Sequence, residues 1–167
     1  MPWTRSASRA ARFSGGRVAA LTLVDPGGFA PLPRRFVRWA LAGAIASMLP
    51  RTLRHRMAGV VGNGALREDE LMRLMRAGWS FRRHVPIPPT YTDEQIRQVP
   101  VPVQVLLGAR SALLDAQALA ARLAGIAPSW RVEIVPGTGH SLPVEAPDLV
   151  AERILTFPGP ARPGTGQ

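Results

Sequence analysis

The sequence predicts an α/β protein built on a parallel sheet, and three observations carry that expectation. Three short segments, 17–24 (RVAALTLV), 101–107 (VPVQVLL) and 131–135 (RVEIV), are rich in β-branched and aliphatic residues, and each runs into a Gly- or Pro-containing turn. Helical patterns follow the second and third, giving strand–helix–strand–helix order, the unit of a doubly wound sheet. The first two segments are apolar nearly throughout, so they need cover on both faces, which points to parallel strands.

Each element has its own signals. Segment 17–24 closes on Asp25-Pro26-Gly27-Gly28, and 101–107 closes on Gly108. Pro102 should lie at the start of its strand, where no ladder donor is needed. Segment 131–135 closes on Pro136-Gly137. Asp115 can cap a helix over 115–125, which Gly125 ends. Pro147 suits the first turn of a helix over 146–157, where Leu149, Val150, Ile154 and Phe157 share one face. The stretch between the first two strands is too long for a simple crossover. It reads as helices over about 34–49, 51–60 and 66–83. In the third, Leu71, Leu74, Met75, Gly78 and Trp79 form an apolar stripe, and Asp69 and Arg73 form an i,i+4 pair. Residues 85–95 are a Pro-rich return to the sheet. The chain thus divides into a tail or helix end (1–16), a core (17–32 and 85–157), a helical insertion (33–84) and a Gly/Pro-rich, disordered tail (158–167).

Composition narrows the function. The 167 residues suit one domain with a sizeable core. Zero Cys excludes a thiol nucleophile, a disulfide scaffold and Cys-ligated metal. Three scattered histidines, His55, His84 and His140, do not suggest a metal site, and no cofactor is implied. The longest apolar run, 39–49, falls well short of the ~20 residues that span a bilayer. Residues 1–16 lack the apolar region of a secretory signal. Their Arg/Ser-rich, acid-free character admits a transit-peptide reading; the plainer reading is a disordered or wrongly started N-terminus, and the expected location is cytoplasmic.

The net charge of +10 is uneven. Residues 33–84 carry eleven Arg and three acids, whereas 99–157 carry four Arg and five acids. Arg34, Arg35, Arg38, Arg51, Arg54 and Arg56 could draw an anionic substrate. A basic amphipathic helix over 34–49, with Phe36, Val37, Trp39 and Leu41, could instead lie on a membrane surface. The simplest reading is an Arg-biased solvated face, since the chain has 21 Arg and no Lys. With 6% aromatic residues and no recognisable motif, nucleic-acid binding is not expected.

One motif carries chemistry. Residues 136–147, PGTGHSLPVEAP, follow the last strand directly. Glycines there let the backbone turn sharply and lift His140 above the strand ends, where reactive groups of parallel sheets collect.

At this point the chain resembles the α/β-hydrolase superfamily. RVAALTLVDPGG, DEQIRQVPVPVQVLLGARSALLD and VEIVPGTGHSLPVEAPDLVAERILTF match the second half of that fold in order, over about residues 9–157. The sharpest part is G-x-G-H-x-x-x-x-E-x-P. Residues 33–84 sit where the family inserts its cap. The resemblance implies a partial α/β-hydrolase fold, namely the last three strands with a helical cap. It implies hydrolysis of an ester or related small molecule by a Ser-His-acid mechanism, with His140 as general base.

Two departures follow. No G-x-S-x-G nucleophile turn occurs anywhere in the sequence; Arg12-Phe13-Ser14-Gly15-Gly16 lacks the leading Gly. The elbow should lie about one helix, ~16 residues, before Arg17. Ser6 and Ser8 therefore read as tail or helix residues, and the chain reads as the C-terminal part of a longer hydrolase. Second, many relatives place an acid where Ser111 stands. The nearest carboxylate, Asp115, is the first candidate acid and also a candidate helix cap. Asp25, at the end of the first strand, is the second. Ser111 and Ser141 read as loop hydroxyls, Glu145 as a structural carboxylate near the N-terminus of the final helix, and His55 and His84 as solvated. Alternatives to catalysis are a non-catalytic remnant or interaction module that self-associates through an open sheet edge, and a fragment binding membranes or polyanions.

Overall fold

The computed structural model describes residues 18–78 and 90–157. Strands β1 (Leu21–Val24), β2 (Val103–Gly108) and β3 (Arg131–Val135) form one parallel sheet in the order β1-β2-β3. Leu21 pairs with Val103 and Val24 with Leu106, while Gln104 pairs with Arg131 and Gly108 with Val135. β1 is shorter than the sequence suggests. Its first ladder bond runs from Leu21 N to the carbonyl of Pro102, just outside β2. Pro102 has no N–H to extend the pairing on its other side.

β2 is the centre, and all six of its residues are buried. Val103, Val105 and Leu107 face a core containing Phe29, Ile96, Leu114, Leu119 and Leu123. Leu106 points the other way, against Val135, Leu142 and Val150. Each such buried aliphatic side chain contributes roughly 1.5–3 kcal/mol. The first face is covered by α5 (Ala116–Ile126), packed through Leu119 and Leu123. The second is covered by α6 (Leu142–Glu145) and α7 (Pro147–Thr156). In α7 the expected four-residue face is only partly used: Val150 is buried, whereas Ile154 is 49% exposed. Arg153 instead anchors the helix. Its guanidinium bonds Glu133 of β3 at 2.8 and 3.1 Å, and its carbonyl accepts from Gln104 Nε2 at 3.0 Å.

Helices α1 (Arg34–Ser47), α2 (Arg51–Val61) and α3 (Asp69–Gly78) lie between β1 and β2, with a 3₁₀ turn at Gly64–Arg67. The short α4 (Asp93–Arg97) leads into β2, opened by a capping box between Thr92 and Gln95. The helix expected over 66–83 is thus broken. Glu68 is extended, and the carboxylates of Asp69 and Glu70 open the following helix, where its dipole favours them. The buried residue of α3 is Met72; Leu74 and Met75 of the expected stripe are exposed. Met72 joins Ala46, Ala58 and Leu66 in a second small core.

The expected Asp69–Arg73 pair is not formed. Arg73 bonds Glu70 at 2.5 Å, while Asp69 binds Arg51 and the buried Arg54. The hydrogen bond from Arg54 holds the Asp69 carboxyl below its ordinary value, helped by the charges of Arg51, Arg54 and His55. His55 is not simply solvated: its side chain is 34% exposed and its Nε2 lies 3.9 Å from Asp69. Among the described residues, no helix is long and apolar enough to cross a membrane. His84, Trp79, Ser6, Ser8, the segment 12–16 and the tail 158–167 lie outside the described residues.

Candidate active site

The three strands end together, and their C-terminal loops converge. β1 ends at Val24, and the next residue, Asp25, takes a left-handed backbone conformation (φ 42°) while its N–H still bonds Leu106 O. This turn drives the Asp25 side chain sideways beneath the end of β2 rather than out to solvent. The carboxylate is fully buried and accepts three hydrogen bonds: Gly108 N at 3.1 Å, Ser111 Oγ at 2.6 Å, and His140 Nδ1 at 2.7 Å. A carboxylate only accepts, so this contact puts the imidazole proton on Nδ1 and leaves Nε2 as the ring's basic nitrogen.

His140 arrives through the glycine loop. Arg110 N bonds Thr138 O at 2.8 Å, and Thr138 Oγ1 bonds Val135 O at 2.9 Å, folding the loop back over the end of β2. The approach requires Gly108. A Cβ there would overlap Gly139 O and lie 2.8 Å from Gly139 C. The imidazole remains 30% exposed. Two rings stand edge-on to it, Phe36 at 5.7 Å and Trp39 at 5.6 Å, themselves stacked on the inner side of α1. A membrane-lying amphipathic helix over 34–49 would use these two together with Val37 and Leu41. They separate: Phe36 and Trp39 turn inward, while Val37 and Leu41 are exposed. Their i,i+3 spacing was the available signal.

The insertion is fastened to the histidine loop. Glu145 accepts from Gly139 N at 2.5 Å and from Gly64 N at 3.2 Å. Its carboxylate therefore turns back onto the loop instead of serving the N-terminus of α7, because two backbone donors lie in reach. Gly64 allows this approach, since a Cβ would sit 2.7 Å from Glu145 Cγ. Ser141 Oγ donates to Asn63 Oδ1 at 3.1 Å, and Trp39 Nε1 donates to Gly62 O at 3.3 Å.

The two candidate acids are now distinguished by their contacts. Asp115 accepts from Ala118 N at 3.0 Å and caps α5; it makes no bond to His140. Asp25 holds the imidazole. Ser111, expected as a plain loop hydroxyl, is a buried donor to Asp25 and also accepts from Leu113 N at 3.2 Å. A cleft of about 850 Å³ separates the 62–68 turn from the loop 135–139, and His140 is not among its lining residues. Among the described residues, no three His, Asp or Glu side chains converge as a metal site requires.

An imidazole on a glycine loop past the last strand, bonded to an acid past an earlier strand, accords with what sequence comparison finds. Residues 5–153 match the Alpha/beta hydrolase family model, and the chain belongs to that family. It is 33% identical over 122 residues to carboxylesterase YbfK of Bacillus subtilis (strain 168), a match covering 73% of this chain and 37% of that protein. It is also 33% identical over 70 residues to the uncharacterized carboxylesterase nap of the same organism, covering 42% and 23%. Among solved structures, it superposes on naproxen esterase (carboxylesterase NP) from Bacillus subtilis with a TM-score of 0.68 at 22% identity, covering 91% of this chain and 55% of that one. The superposition on carboxylesterase CesB (YbfK) from Bacillus subtilis gives 0.64 at 22% identity, covering 92% and 56%. The fold is that of an α/β hydrolase, of which the three strands are a part, and the chain spans little more than half the length of these structures.

Proposed function

We propose that this chain supplies the base and acid of an ester hydrolase whose serine nucleophile lies in sequence outside it. The observation that supports this reading is the 2.7 Å contact between His140 Nδ1 and the buried Asp25. In this scheme Nε2 takes the proton from a serine hydroxyl as its oxygen attacks the ester carbonyl. It then returns that proton to the departing alcohol as the carbonyl reforms. Water repeats the sequence, releasing the acid and regenerating the serine. Asp25 holds the ring in the Nδ1–H tautomer and stabilises the imidazolium that forms in between. Asp115 takes no part. Phe36 and Trp39 would wall the reacting space with apolar surface, and residues 33–84 would act as a cap over it. The carboxylesterase relatives agree with an ester substrate.

The test is hydrolysis of short p-nitrophenyl esters by two proteins: this chain, and this chain joined to the coding sequence upstream of it. The joined protein should hydrolyse the ester, and His140→Ala should lower its kcat at least ~10³-fold. Asp25→Asn should lower it substantially, whereas Asp115→Asn should change stability and leave kcat near its starting value. Joined activity that survives His140→Ala would overturn the role of the base. His140-dependent turnover by the chain alone, or an upstream sequence lacking G-x-S-x-G, would overturn the external nucleophile.

A further inference from the structure

We propose that the outer face of α1 and α2 docks on an anionic lipid surface. The first observation is a stripe along α1. Val37, Leu41 and Ile45 recur every fourth residue and are 58, 61 and 58% exposed, and Met48 continues the line at 70%. The opposite side of α1 is already committed: Phe36 and Trp39 stand against His140, and Gly43, Ala46 and Ser47 are buried. A helix apolar on both sides needs a second cover, and among the described residues none covers this stripe.

The second observation is the charge around it. Between Asp25 and Glu68 the sequence has no carboxylate and seven arginines. Arg51 and Arg54 are taken up by Asp69, and Arg35 Nε donates to Ala112 O at 3.3 Å. Arg34, Arg38 and Arg56 have no carboxylate partner among the described residues. The nearest acids, Glu68, Asp69 and Glu70, lie beyond α2, and the last two are engaged by arginines.

Apolar side chains flanked by unpaired guanidiniums fit lipid headgroups and acyl chains together. A second copy of the chain would oppose the same arginine-only surface to itself, which like charge disfavours. A soluble polyanion would satisfy the arginines and leave the stripe in water. The proposal is independent of the hydrolytic reading, because its test measures no turnover.

The test is co-sedimentation of the full chain with two kinds of vesicle. One is phosphatidylcholine alone; the other contains about one third phosphatidylserine. Binding should require phosphatidylserine and fall as salt rises from ~50 to ~200 mM. Replacing Arg34 and Arg38 by Ser should weaken it about five-fold per arginine. Replacing Leu41 and Ile45 by Glu should abolish it. All four side chains are exposed, so circular dichroism should be unchanged. Three outcomes would overturn the proposal: no binding, equal binding to both vesicles, or retention by the Leu41→Glu/Ile45→Glu variant. A concentration-dependent dimer lost in that variant would overturn it too, and would assign the stripe to a second copy.

Discussion

Asp25 is the residue on which the most depends. It is a fully buried carboxylate that accepts from three donors, two at the end of β2 and the loop after it (Gly108 N and Ser111 Oγ) and one on the loop after β3 (His140 Nδ1). Removing such an acceptor leaves Gly108 N and Ser111 Oγ without their partner, so Asp25→Ala should cost about 3–5 kcal/mol. Ser111→Ala removes one donor and leaves Leu113 N unpaired, for about 1–2 kcal/mol. Urea unfolding measures both. The NMR spectrum offers a separate check, because the His140 Nδ1–H proton should resonate far downfield in the wild type and lose that position in Asp25→Asn. His140 was legible in the sequence, since glycines, strand end and histidine are contiguous. The helix-capping contact of Asp115 was equally legible, because the cap is a local motif. The Asp25–His140 contact was legible only as a possibility, with Asp25 standing second to Asp115 as candidate acid. It spans 115 positions and depends on strand register and on a left-handed turn at Asp25 that Pro26 and the two glycines do not announce.

At the scale of elements, Glu145 couples two parts of the chain that the sequence keeps far apart. One of its oxygens holds the loop that carries His140, and the other holds the 3₁₀ turn of the insertion. Glu145→Ala should leave both amides unpaired and cost about 2 kcal/mol. Hydrogen exchange should accelerate at Gly139 and Gly64 together, while the amides of β2 keep their protection. A carboxylate serving only the dipole of α7 would leave both glycines unchanged. The helices themselves were legible from periodicity, and α1, α2, α5 and α7 lie within a few residues of expectation. The break at 64–69 was hidden because a continuous helix offers the same apolar spacing. Burying Leu66 in a 3₁₀ turn and feeding Asp69 to Arg51 and Arg54 outweighs continuity. The contact between α1 aromatics and His140 was hidden for a related reason: a helix with apolar residues all round does not declare which side is inner.

For the molecule as a whole, the parallel order was legible because nearly unbroken apolar runs demand two covered faces, and β2 has them. The outer strands differ. Residues of β1 are only half-buried, and β1 has a hydrogen-bonded neighbour on one side in this sheet. Successive backbone amides in a strand point to opposite sides, so Leu21 and Asp25 donate to Pro102 O and Leu106 O, while Thr22 and Val24 face the side of β1 on which no strand pairs among the described residues. A small apolar recess lined by Leu21, Leu23, Phe29, Tyr91, Val103 and Trp130 lies on the α5 side of the sheet. An edge of this kind is a template for another strand. Hydrogen exchange on the dilute chain should therefore find Thr22 and Val24 exchanging quickly and Leu21 and Asp25 slowly. Raising the concentration should protect Thr22 and Val24 if the edge pairs with a second copy, as the self-association reading expects. Joining the chain to its upstream sequence should protect them at any concentration if a neighbouring strand is encoded there. Slow exchange at Thr22 and Val24 in the dilute chain alone would show that β1 is not an edge, and the partial-sheet architecture would have to be redrawn.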